Sequence, residues 1–508
     1  MRHNAPLVLL LALLFALAAC TGQAAQEEAP DAQAPVQADD STSEPAGVET
    51  EDGAPFTLGC YTDLGLNPYT CSNSTNQAVI RLLYEPLFEV GPDFSVQPVL
   101  AVSCRSDGGG RWTLTLAEDA VFWNGEALTA QDVVYSLEQA AAEESIYAAR
   151  LAPMSELSAE GDAVAFSWSE PLGELESLLE IPIVQAGTAA DSIPTGTGPY
   201  QPVSGEDGLA SLSVHRAWSQ AESLPVEEIA LYPVTDSDML IYGFESGEII
   251  LVPSDLTGSN SLGYSGNYEV WDYPTSYLLY LGCNTADGPC AETAFRLALQ
   301  DALDREMMAT SLLSGHAAAS PLPFHPDSAL YDAALADAFS EPDSSALEGY
   351  AGESVTILVN ADSSFKITLA ESIAAALEAA GLEAEVETLA WSDYQTTLEA
   401  REYDLYLGEV RLEPNFDLSA LLAEDGSLNF SGYRSDGISA ALDAYRAASS
   451  DTRAEAAAAL SAAVCQEAPI LPLCFEEHSI LSSWGSLAYC TATQSNLFYH
   501  IQDWTLSG

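Results

Sequence analysis

The chain has 508 residues, with 76 acidic and 14 basic side chains and a formal net charge of −62. Phosphate and anionic-lipid binding rest on clustered cations, so this balance excludes nucleic acid as a partner and a basic patch as a membrane dock. A hydrophobic content of 48% with 9% aromatics is globular, and the length calls for two or three units that each bury a core.

In chain order, Arg2 opens a short positive segment, residues 7–19 form an apolar run, and Leu17-Ala18-Ala19-Cys20 closes it. The run is shorter than the roughly twenty residues that span a bilayer, and small residues precede the cleavage point, so 1–20 reads as a signal peptide. The Leu-Ala-Ala-Cys ending resembles the bacterial lipobox, which implies Cys20 as the diacylated first residue of the mature protein. Residues 21–53 are rich in Ala, Gln, Glu, Asp, Pro and Ser and hold no aromatic residue. They cannot bury enough apolar surface to offset their ordering entropy, and are expected to form a disordered acidic tether with a mean reach on the order of 30 Å.

The body opens on a strand-like run from Phe56 to Tyr61, and Arg111 to Leu116 alternates like a second strand. Thr129 with Asp132 three residues on predicts a capped helix start, and Val133, Val134, Leu137 and Ala141 share one face of that helix. Between Pro171 and Pro274 the chain is strand-rich, Leu278 to Leu281 is a short apolar strand, and 291–313 is strongly helical. Val355 to Val359 is a buried-type strand. A helix over 366–380 follows, ended by Gly381 at the position after its C-cap, and strands are predicted over 384–389 and 403–407. Strand, helix and strand at this spacing imply a right-handed crossover and a parallel pair, so the fold class is α/β.

With Cys20 lipidated, eight cysteines remain. Export favours disulfides and an even count permits four, with connectivity open. No CxxC spacing or adjacent histidine points to zinc, and no cofactor or metal is called for.

Several blocks, in order, resemble the family 5 extracellular solute-binding proteins, which include oligopeptide-, dipeptide- and nickel-binding members. They are Leu82-Leu83-Tyr84-Glu85-Pro86-Leu87, the signature from Val121 to Ser136, Gly196-Thr197-Gly198-Pro199-Tyr200, and Asn284-Thr285 followed by Arg296 to Glu306. In these blocks Gly125, Gly196 and Gly198 are read as supplying turn conformations, and Asp304-Arg305 as an ion pair near a helix end. The resemblance implies a periplasmic-binding-protein-like fold of type II, cluster C-like. Two hinged lobes, 54–275 plus 479–508 and 276–478, would close on a ligand in the cleft between them.

The cleft residues expected from this resemblance are Arg411, Asn415 and Asp417 in the second lobe and Tyr61 and Asn67 in a first-lobe loop. Relatives carry a DYpDP-like motif near 411–418, whose acidic residue holds a peptide's amino terminus. Here Asp417 aligns with the second Asp, Leu418 replaces the Pro, and Pro414 stands in place of the first Asp. A guanidinium can clamp a carboxylate bidentately, and a carboxylate can hold an ammonium. Arg411 therefore either clamps a ligand or pairs with a neighbouring acid.

Ser363-Ser364-Phe365-Lys366 fits an S-x-x-K pattern, but the chemistry also needs a K-T-G element, and Lys366 is the only lysine. No phosphate loop, zinc-protease motif or nucleophile elbow is present, so the chain does not read as an enzyme. The reading is an extracytoplasmic, lipid-anchored protein that captures peptides or peptide-like solutes for ABC permease subunits. The alternatives are another cargo, such as a glycan or chelated metal, and a surface sensor that keeps the fold without transport. Cys20→Ser should move the protein from the membrane to the soluble fraction; retention with membranes after carbonate washing would contradict the anchor.

Overall fold

A computed structural model describes residues 55–205, 208–258 and 262–507. The signal segment, Cys20 and the tether lie outside the described residues. Among those described, no helix is long and apolar enough to cross a membrane.

Local signals account for many element boundaries. The helix Ala130–Ala140 starts in a complete capping box between Thr129 and Asp132. The helix Ser364–Ala379 is capped by Ser363, whose side chain accepts from the Lys366 amide, so the S-x-x-K pattern marks a helix start. Gly381 follows that helix with φ +96°, a backbone region closed to most side chains. The predicted helix over 291–313 is interrupted. Thr293–Ala302 ends at an extended Leu303, and Asp304 caps a new short turn by accepting from Met307. Arg305 does not pair with Asp304; it is buried and donates to the carbonyls of Pro472 and Gln300. These backbone carbonyls take the Nε and Nη1 donors of a guanidinium that has no ion-pair partner among the described residues.

An 11-stranded sheet runs through the molecule. At one end Ser354–Asn360 lies between Glu383–Leu389 and Leu405–Arg411, parallel to both, as the strand–helix–strand spacing predicts. Leu405–Arg411 then pairs antiparallel with Tyr268–Cys283, and that long strand pairs antiparallel with Ile470–Ser483. Beyond them lie Leu251–Ser254, Thr57–Tyr61, Glu228–Val234 and the hairpin Gly208–Val214 with Tyr200–Gly205. A separate four-stranded antiparallel sheet is built from Ala101–Gly108, Arg111–Leu116, Ala163–Trp168 and Met154–Glu160.

The two-residue period of a strand sends alternate side chains to opposite faces. Leu279, Leu281, Ile357, Val359, Leu405 and Leu407 enter one hydrophobic core, while Leu278, Tyr280, Leu358 and Tyr406 enter another on the opposite face. A further large core draws on residues from Leu58 to Tyr273 and again from Ile480 to Trp504. The changeover falls at the register break between Pro274 and Leu278. There Thr275 donates to the Glu476 carbonyl at 2.6 Å and Ser276 to the Leu412 carbonyl at 2.7 Å. Ion pairs Arg150–Glu413, Arg446–Glu170 and Arg453–Glu174 join segments of this large core to segments of the core that holds Leu278 and Tyr280.

The described cysteines are all free thiols, seven of them buried; the four bridges that the count permits are not formed. Gly125 has φ +84°, but Gly196 and Gly198 are not at positive φ. Their requirement is close approach: a Cβ on Gly198 would lie 2.5 Å from the Leu83 carbonyl carbon, and one on Gly196 2.3 Å from the Leu83 oxygen. Gly198→Ala should therefore destabilise the fold by about 1–3 kcal/mol, read as a lower urea midpoint. An unchanged midpoint would show that this contact relaxes without cost.

Candidate ligand-binding cavity

A cavity of about 680 Å³ lies where the cores meet, lined by residues from Tyr61 to Leu497, a volume within the range of small-molecule sites. The register break places Tyr273, Pro274, Ser276 and Tyr277 on its wall. Tyr61 is fixed from behind by the fully buried Asn76. The Asn76 side chain accepts from the Tyr61 amide at 2.8 Å and donates to its carbonyl at 2.9 Å.

Arg411 ends its strand opposite Tyr277, is exposed and lines the cavity, and its guanidinium carbon sits 5.9 Å from the Tyr277 ring centroid. Among the described residues it has no ion-pair partner, whereas Arg81 and Arg150 are held by Glu180 and Glu413.

The other expected residues lie elsewhere. The Asp417 carboxylate meets Arg446 Nε at 3.2 Å and accepts from the Ser419 amide at 2.8 Å, outside the cavity lining. Asn415 is buried beneath that loop: its side chain accepts from the Asp417 amide and its carbonyl from Tyr445 and Arg453. The Asn67 side chain closes its own loop, donating to the Ala189 carbonyl and accepting from the Tyr69 amide. The structure thus brings Arg411 and Tyr61 to the cavity and leaves Asn67, Asn415 and Asp417 in contacts within the protein.

Residues not singled out from the sequence, Asp255 and His478, also line the wall, with Glu476 beside them. Asp255, Glu476 and His478 offer ligand atoms within 4.8 Å of one another, a grouping able to surround a cation. Asp255 Oδ1 is held by the Gly258 amide at 2.7 Å, while Oδ2 lies 3.8 Å from His478 Nε2. Burial pushes the His478 imidazole below its ordinary value, against the pull of Asp255 and Glu409. Neutral imidazole keeps one ring nitrogen as an acceptor. Glu476 is pushed up to about 9, by burial first and then by the charges of Glu409 and Asp255. Lys366 pairs with Glu409 beside this group.

Among the described residues, five buried polar atoms without a hydrogen-bond partner belong to this one cavity: Arg81 Nη1, Ser254 Oγ, Tyr264 OH, His478 Nε2 and Gln494 Nε2. Each buried group left unpaired costs about 1–3 kcal/mol, and five of them gather in the residues around one cavity. No sequence pattern signals them, because they come from a helix, three separate strands or loops, and the C-terminal segment.

The raised Glu476 has a consequence for stability. An acid with a folded value above its unfolded one favours the folded state while protonated in both. That contribution is full below the ordinary 4.5 and is lost as pH rises through about 9. Thermal stability should decline across this window, and Glu476→Gln should flatten the decline. An equal slope in the variant would remove Glu476 as its source.

A family model described as bacterial extracellular solute-binding proteins, family 5 middle, matches residues 95–423. Protein XP55 of Streptomyces lividans is 26% identical over 425 residues, covering 74% of this chain and 75% of that protein. The glutathione-binding protein GsiB of Salmonella typhi is 23% identical over 281 residues, and the match spans about half of each chain, 50% and 52%. Among solved structures, the periplasmic murein tripeptide-binding protein MppA in its unliganded open form shares the fold, with a TM-score of 0.72 and 18% identity over 85% of this chain and 94% of that one.

Proposed function

We propose that this chain, which belongs to the family 5 bacterial extracellular solute-binding proteins, captures peptides or peptide-like solutes and delivers them to ABC permease subunits. The observation that carries the reading is the convergence of unpaired polar atoms on one cavity that also holds a free guanidinium. A peptide presents alternating carbonyl and amide groups that can satisfy such a wall, and its carboxylate suits Arg411. Asp255, with Oδ2 turned to the cavity group around His478, suits an ammonium. Asp255 thereby takes the place of Asp417, whose charge is committed to Arg446.

In this reading the lobes are 54–275 plus 479–508 and 276–478. Support comes from the division of the cores on either side of the register break. The strands Tyr268–Cys283 and Ile470–Ser483 serve as the hinge, and Thr275 and Ser276 lock it with their side-chain bonds. The ion pairs Arg150–Glu413, Arg446–Glu170 and Arg453–Glu174 stabilise closure. A permease distinguishes the closed form by shape, which couples capture to delivery. Cys20 and the tether hold the body at the outer face of the cell membrane.

A second reading, capture of a chelated metal, is favoured by the grouping of Asp255, Glu476 and His478. Native mass spectrometry of the purified protein separates the two by the mass of the co-purified solute. Arg411→Ala should weaken solute binding by at least about tenfold without lowering the thermal midpoint, since its guanidinium has no acidic partner to lose. Unchanged affinity by calorimetry would take Arg411 out of the site.

A further inference from the structure

The charge balance of the cavity is the reverse of the chain's. Over the whole sequence 76 acids face 14 bases, yet the cavity lining holds three arginines, 81, 150 and 411, against two acids, Glu180 and Asp255. Cations placed here, in a chain with so few, suit a ligand with more than one negative group.

Arg81 is the most buried of the three, and contacts within the protein account for only part of its guanidinium. It projects from the helix Ser74–Leu83 and is 7% exposed. Its Nε donates to the Ser495 carbonyl at 2.6 Å, and its Nη2 lies 3.5 Å from Glu180 Oε1. That oxygen also accepts from the Val90 amide at 3.2 Å and from the Ser495 hydroxyl, so its charge is shared among three donors. Arg81 lines the cavity, and among the described residues its Nη1 is buried without a hydrogen-bond partner. Tyr147 lines the same cavity, with Arg150 5.8 Å from its ring centroid. Burial raises the Tyr147 hydroxyl, while Arg81, Arg150 and Arg411 all draw it down. The hydroxyl therefore stays protonated and can donate.

We propose that Arg81 and Tyr147 form a second carboxylate subsite, distinct from Arg411, so that the solute is a short peptide-like molecule with two carboxylates. This rests on the peptide reading above and narrows it to acidic members of that class. Arg81 Nη1 donates one charge-assisted bond and Tyr147 another. Arg411 takes the other carboxylate and Asp255 the ammonium.

The test is titration calorimetry of the full chain with pairs of short peptides that are identical except for one glutamate or glutamine, placed at each position in turn. In at least one pair the glutamate form should bind about tenfold or more tightly. The double variant Arg81→Gln with Glu180→Gln removes both buried charges together, which avoids stranding one of them, and should bring that ratio towards one. Equal affinity within every pair would overturn the second subsite while leaving peptide capture standing, and so would a ratio that survives in a folded double variant. If no peptide of the panel binds, peptide capture and the subsite fall together. The wild-type ratios decide the matter even if the double variant does not fold.

Discussion

The antiparallel pairing of Tyr268–Cys283 with Ile470–Ser483 is the constraint on which the rest of the structure depends. From Leu278 to Gly282 on one strand and Ile470 to Phe475 on the other, the pair forms the middle of a sheet covered on both faces. From Tyr268 to Pro274 and from Glu477 to Ser483 the same two strands support the other large core. Between these halves the ladder skips, and polar side chains take over the bonding that the backbone gives up. A ladder interruption of this kind bends strands and re-aims side chains; here it turns Tyr277 and its neighbours toward a space that neither core fills.

The cavity follows from that geometry. Two packed bodies joined through a short region of strand leave surface facing surface, and what lines the gap is set by which loops and helix ends reach it. Tyr61 reaches it because Asn76 grips both sides of its backbone. Arg411 reaches it because its strand runs out opposite Tyr277. The unpaired atoms of Arg81, Tyr264, His478 and Gln494 are tolerable in a protein that trades them for ligand contacts, and would be a standing cost in one that did not. Glu476, beside the cavity-lining Asp255 and His478, is raised by burial and by the charges of Glu409 and Asp255.

Electrostatics at two scales act differently. The net charge of −62 keeps the surface self-repelling and soluble and says little about the cargo. The three arginines on the cavity wall act at contact range in a partly desolvated space, where a charge is worth more than on the surface. In the proposed reading these few residues set the ligand preference, against the field of the whole chain.

The sequence by itself determined the local elements and the family. Thr129 with Asp132, Ser363 before its helix and Gly381 after it are short-range signals whose partners lie within a few residues, and the strand–helix–strand spacing specifies a parallel pair. Tertiary structure alone decided which charges are free. Arg411 could have paired with a neighbour and does not, while Asp417 is taken by Arg446, 29 positions on. Arg81, Asp255 and His478 meet at one cavity from three distant parts of the chain, and no local periodicity records such a meeting. Gly196 and Gly198 looked like turn residues, yet what they satisfy is contact with the end of a helix more than a hundred residues earlier. Pairing and close approach depend on which surfaces the fold brings together, and that is a property of packing rather than of neighbouring residues.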